Sequence, residues 1–123
     1  MLGPALVDGG APGALARERL NAAEIHVPEL ADVEVLSILR RHVLGGRLSV
    51  PRAAAALQDY ADLAVDRHPH VPLLPRAWHL RDALSAYDAQ YVALAEVLDA
   101  TLVTADGRLS RAPGIRCRVD LLR

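Results

Sequence analysis

Three carboxylates stand where an ordinary globule would not put a charge. With the segment around Glu34 helical, the residues four away on either side are Leu30 and Ile38, so the acid falls within an apolar row. Burying an unpaired carboxylate is very unfavourable, and either a cation or a raised pKa must relieve it. Asp88 falls in the first turn of a helix whose positions three, four and seven further on are Tyr91, Val92 and Ala95, a core-like face. Asp106 follows the strand-like Thr101-Leu102-Val103-Thr104, and in open α/β sheets the ligand crevice lies outside the carboxyl ends of the strands. Each acid also has a plainer reading. Glu34 could face solvent or pair with Arg41. Asp88 could be a helix-start aspartate stabilised by the helix dipole. Asp106-Gly107 is a frequent turn pair. The combination is stronger than its parts, because three separate elements could each bring an acid to one edge of a sheet.

The elements that must do this are readable in outline. Met1 to Gly13 has loop chemistry, with Gly3, Pro4, Gly9, Gly10, Pro12 and Gly13. A helix is expected over about 14–22 and a short strand over Glu24–Pro28. The helix Glu29–Leu44 is apolar nearly all round, is expected to be buried on more than one side, and ends at Gly45-Gly46. Ser49 is placed to cap the next helix, about Val50–Ala64, with Pro51 in its first turn. After the Arg67-His68-Pro69-His70 turn, Val71–Leu74 is a candidate strand weakened by Pro72. Helices over about Pro75–Leu84 and Ala86–Asp99 follow, then the strand Thr101–Thr104 and a last strand over Arg116–Leu121. Strands alternating with helices imply a mainly parallel sheet, right-handed crossovers and a three-layer α/β/α sandwich in one domain, residues 1–123.

Composition excludes several chemistries. All 14 basic residues are Arg and none is Lys, which removes the P-loop lysine, Schiff-base catalysis and receiver-type acid pockets that need a lysine. The net charge of −1 exerts no global pull on nucleic acid or anionic membrane. No apolar run approaches a membrane span. The single cysteine, Cys117, cannot form an internal disulfide, reads as a small buried hydrophobe, and leaves a reducing, cytoplasmic setting as the expectation. The five histidines do not form a metal set: His68 and His70 flank a proline in a turn, too weak a spacing for ligation, and His26, His42 and His79 sit in unrelated elements. Four aromatic residues, Tyr60, Trp78, Tyr87 and Tyr91, are too few for a base-stacking platform. Arg108 and Arg111 follow Asp106, and Arg40 and Arg41 end the Glu34 helix; guanidinium forks there would suit phosphate.

The residues carry a resemblance to the PIN-domain endoribonuclease toxins of the VapC type. Val27-Pro28-Glu29-Leu30-Ala31-Asp32-Val33-Glu34, continuing to Leu39-Arg40-Arg41, is similar to that family's second-helix motif. Tyr87-Asp88-Ala89 resembles its Tyr-Asp-Ala helix start, and Leu102-Val103-Thr104-Ala105-Asp106 its Thr-x-Asp strand end. Order and spacing agree from about residue 14 onward. The resemblance implies that Glu34, Asp88 and Asp106 bind one or two Mg²⁺ or Mn²⁺ ions and cleave RNA, with Thr104 a polar neighbour; Arg108, by its guanidinium chemistry, is a candidate substrate contact. It also implies a homodimer and a cognate VapB-type antitoxin.

The chain departs from the family at its start. The family has a further aspartate ending a first strand. Here the only early candidate is Asp8, at the end of a very short Ala5–Asp8 stretch, and Gly9-Gly10-Ala11-Pro12-Gly13 breaks any helix after it. The expectation is a chain in which the first strand, its aspartate and part of the first helix are missing or incomplete, through a late start site or a truncation. Neighbouring strands would then be unpaired and activity weakened. Two alternatives to the nuclease follow: a catalytically impaired PIN-like module that binds protein, and a metal-dependent phosphatase on another α/β scaffold.

Overall fold

The computed structural model describes residues 6–8 and 25–122. Five strands form one sheet in the order β3-β2-β1-β4-β5. They are β1 (Leu6–Asp8), β2 (Ile25–Pro28), β3 (Val65–His68), β4 (Thr101–Thr104) and β5 (Arg118–Leu121). β2 with β3 and β4 with β5 pair in parallel, whereas β1 is antiparallel to both β2 and β4. Four strands therefore run one way and only the central one is reversed. This is the expected α/β sandwich.

The expectation of unpaired strands at the sheet's centre is corrected, because Leu6–Asp8 fills the gap between β2 and β4. The reversal has a geometric consequence. Asp8 pairs with Thr101 and Leu6 with Val103, so Asp8 stands at the end of β4 opposite to Asp106. The helix expected over 14–22, and the rest of the irregular start, lie outside the described residues.

The helices are α1 (Leu30–Leu44), α2 (Val50–Asp62), α3 (Leu74–His79), α4 (Ala86–Val97) and the single turn α5 (Gly107–Ser110). Serines open two of them as capping requires: Ser49 Oγ accepts the Arg52 N–H at 3.3 Å, and Ser85 Oγ accepts the Asp88 N–H at 3.1 Å. At the start of α1, a histidine from another segment does this work. His70 Nε2 accepts the Leu30 N–H at 3.0 Å, and the Glu29 N–H reaches the His68 carbonyl at 2.9 Å. Gly46, with φ of 75°, ends the same helix in a conformation that side chains resist.

Two expected elements differ. Val71–Leu73 is a 3₁₀ turn and the strand lies earlier, at Val65–His68. Pro72 cannot donate to a ladder, while Val65–His68 pairs along all of β2. The helix expected over 75–84 is confined to Leu74–His79 and continues as turns.

α4 is the core of the molecule. Residues Ala89 to Ala95 are all buried, and they pack with Val27, Ala31, Leu102 and Leu109. β4 is buried on both faces, as a covered inner strand must be. α1 behaves otherwise than expected: Ala31 is its only buried residue, and Val33 and Leu44 are about two-thirds exposed, at 67% and 69%. Cys117 is half-buried against the core, and burial pushes its thiol up to about 11.

Candidate acid cleft

A cleft of about 1020 Å³ opens beyond the carboxyl end of β4. Glu34 reaches it from α1, Asp88 from the first turn of α4, and Thr104 and Asp106 from the end of β4. Arg41, Arg108 and Arg111 line the same space. All five residues singled out from the sequence, Glu34, Asp88, Thr104, Asp106 and Arg108, are thus brought together. By backbone register, Asp8 stands at the other end of β4.

Each carboxylate is held differently. Glu34 Oε1 accepts the Tyr91 hydroxyl at 2.5 Å, so its partner is a tyrosine from α4 rather than Arg41. Burial raises the Glu34 pKa, the Tyr91 bond opposes this, and the negative charge of Asp88 adds to the rise. Asp88 is also raised, first by burial and then by the Asp106 charge, against its contact with Ser85 and the charge of Arg108. Asp88 also keeps its place in the first turn of α4, where the helix dipole favours an acid. Asp106 goes the other way. The Arg108 guanidinium and the Arg108 N–H hold its carboxylate down at about 2. Its own N–H donates to Thr104 Oγ1 at 3.0 Å, which orients the turn from the buried end of β4.

Tyr91, which the sequence places on the core face of α4, is also a functional neighbour of Glu34. The available signal was its type. A buried tyrosine on an otherwise aliphatic helix face needs a partner for its hydroxyl, and an acid elsewhere in the chain is a ready acceptor. Ser85 carried a similar signal three residues before Asp88.

The donor set is hard oxygen throughout. Among the described residues, no group of three His, Cys, Asp or Glu side chains is gathered closely enough to cage a metal ion. Mg²⁺ does not need such a cage, since it keeps several waters and binds through one or two carboxylates. Two half-buried acids with raised pKa values, each feeling another acid's charge, are the surroundings a divalent cation would relieve. The residues fit the ion in chemistry, and their arrangement leaves room for water and phosphate.

Comparison with known proteins identifies the lineage. The PIN domain family model matches residues 5–115. The chain is 47% identical over 107 residues to Ribonuclease VapC9 of Mycobacterium tuberculosis, covering 87% of this chain and 84% of that protein. It is 42% identical over 120 residues to Ribonuclease VapC1 of the same organism, covering 97% and 90%. Ribonuclease VapC12 is 34% identical over 110 residues, covering 89% and 85%. The chain belongs to the PIN-domain family, in its VapC ribonuclease branch.

Proposed function

We propose that this chain is the toxin of a type II toxin–antitoxin pair, an endoribonuclease that uses Mg²⁺ or Mn²⁺ to hydrolyse RNA phosphodiester bonds. The observation that carries this reading is the convergence of Glu34, Asp88 and Asp106, from three separate elements, on one arginine-lined cleft. Glu34, Asp88 and Asp106 would hold the cation. When bound, it supplies the positive charge that stabilises the phosphorane-like transition state and favours ionisation of the attacking water. Water's oxygen adds to phosphorus, one P–O ester bond breaks, and the water proton ends on the leaving oxygen.

The protein's share is positioning. The Tyr91 hydroxyl fixes Glu34, and Thr104 fixes the turn bearing Asp106. Arg41 and Arg111 would engage flanking phosphates, so RNA is read through backbone and shape with few base contacts. The test is an assay on structured RNAs with Mg²⁺ or Mn²⁺. Cleavage that persists in EDTA, or that survives Asp88→Asn, would overturn the reading.

The proposed partner is a VapB-type antitoxin, with a homodimer as the assembly and the cytoplasm as the setting. Exposed Val33, Leu36 and Leu44 on α1 support an interface there. An antitoxin arginine forked onto Glu34 or Asp88 would neutralise the cleft. Among the described residues, no helix is long and apolar enough to cross a membrane. Co-expression with the product of the adjacent upstream reading frame, followed by sizing chromatography, should yield a co-eluting complex. A strictly monomeric protein that ignores that product would refute the partner proposal alone.

A second reading, a protein-binding module with impaired catalysis, is favoured by the reversed β1, whose register puts Asp8 opposite Thr101, at the end of β4 away from Asp106. A stable antitoxin complex with no cleavage in either metal would support it.

A further inference from the structure

We propose that Arg108 exchanges partners: without a cation its guanidinium holds the Asp106 carboxylate, and when a divalent cation takes Asp106 the same guanidinium turns to a phosphate of bound RNA. This rests on the metal-centre reading above and adds to it a built-in competitor for one ligand.

The geometry is specific. Arg108 Nη2 donates to Asp106 Oδ2 at 2.6 Å, and Nε donates to Oδ1 at 3.0 Å and Oδ2 at 3.2 Å. Both carboxylate oxygens are therefore taken by one fork. Neither Glu34 nor Asp88 has such a partner among the described residues, although the Arg108 charge also acts on Asp88. The guanidinium thus stands in for a cation at Asp106. It is held there by little else, because the Arg108 side chain is 82% exposed. So open a guanidinium is screened by water, and a divalent cation, carrying twice its charge, can compete with it for the carboxylate. Asp106 would not lose its place when the fork leaves, since its Oδ1 also accepts the Arg108 N–H at 2.9 Å and its own N–H stays on Thr104. A guanidinium released at the rim of the cleft is geometrically suited to a phosphate, which it can grip with two parallel bonds.

The exchange predicts opposite signs for two affinities. The full chain and its Arg108→Ala, Arg108→Lys and Arg111→Ala variants would be titrated with Mn²⁺ by electron paramagnetic resonance. They would then be titrated with a labelled phosphorothioate oligouridylate in Mn²⁺ by anisotropy, with the oligonucleotide checked intact by gel. Arg108→Ala should bind Mn²⁺ about fivefold more tightly, the scale of an exposed ion pair. It should bind the oligonucleotide more weakly, with a salt slope reduced by about one. Arg108→Lys is the decisive variant: it keeps the charge but loses the fork, and should still tighten Mn²⁺ binding. Wild-type Mn²⁺ affinity in Arg108→Lys, or equal tightening in Arg111→Ala, would reduce the effect to net charge and overturn the exchange. Unchanged oligonucleotide binding in Arg108→Ala would overturn its second half. A wild-type chain that binds no Mn²⁺ would instead overturn the metal-centre reading itself, and the exchange with it.

Discussion

Helix α4 carries an acid at each end, and the two have opposite fates. Glu96, in the last turn, accepts the Arg76 guanidinium through both oxygens, at 2.6 and 3.1 Å, and also the Arg116 N–H at 2.7 Å. Burial pushes Glu96 up, but Arg76 and Arg116 outweigh it and its pKa is lowered. Arg76 Nη2 also donates to the Gly114 carbonyl at 2.7 Å, so the cluster ties α3 and α4 to the loop before β5. Asp88, in the first turn, gains no such fork and its pKa is raised. One carboxylate is used up in holding the fold, and the other is left with an unmet need for positive charge. An under-compensated acid beside a cleft marks a candidate ligand site, whereas a fully compensated one suits a brace.

The contrast can be broken at either end. The largest effect is expected from Asp88→Asn, which should lower RNA cleavage by about 10²–10³-fold, the range seen when one charge-stabilising group is lost. Its urea unfolding curve in EDTA should not worsen. Glu96→Ala should do the reverse. Unfolding in urea should show a loss of about 2 kcal/mol, as for hydrogen bonds to a charged group, while kcat measured well below Tm stays near wild type. A fall in cleavage comparable to that of Asp88→Asn would erase the distinction between site and brace. Tyr91→Phe comes next. It removes the bond that lowers Glu34, so the acid limb of the pH–rate profile should move upward. The rate near neutrality should fall about tenfold, as when a group orienting a metal ligand is lost.

The smallest effect is on stability against pH. Glu34 and Asp88 are raised above 4.5 and 3.8, so the stability they contribute is complete at low pH and is lost as pH rises through their raised values. Asp106 and Glu96 have the opposite sign, their contribution being lost as pH falls, for Asp106 through about 2. In EDTA at neutral pH, Glu34→Gln with Asp88→Asn should therefore raise Tm by a few degrees, and saturating Mg²⁺ should stabilise the wild type but not this variant. Equal Mg²⁺ stabilisation of both proteins would move the cation away from these acids.

Much of this was legible locally. Thr101–Thr104 is short, β-branched at both ends and bounded by turn residues, and it forms over those same four residues. Ser49 with Pro51 announced the start of α2, and the structure bears this out. What escaped depends on pairing at a distance. Val65–His68 looks like turn material by itself and becomes a strand because β2 offers it a full parallel partner. The reversal of Leu6–Asp8 has no sequence mark, since three residues alternate identically in either direction. The apolar surround of α1 suggested burial on several sides, yet only Ala31 is fully buried, Val33, Leu36 and Leu44 are exposed, and the other apolar residues are half-buried.

By itself, the sequence determined which acids were available and in which elements they would sit, since helix periodicity, capping serines and a β-branched run are properties of neighbouring residues. It could not determine how those acids differ. Glu34 owes its bond to a tyrosine 57 residues away, and Asp88 owes much of its raised pKa to burial under the assembled core and to Asp106 across the cleft. Glu96 is lowered by Arg76 and Arg116, each 20 residues distant in the chain. Charge interactions depend on separation in space and on exclusion of water, and both come into being only when the chain has folded.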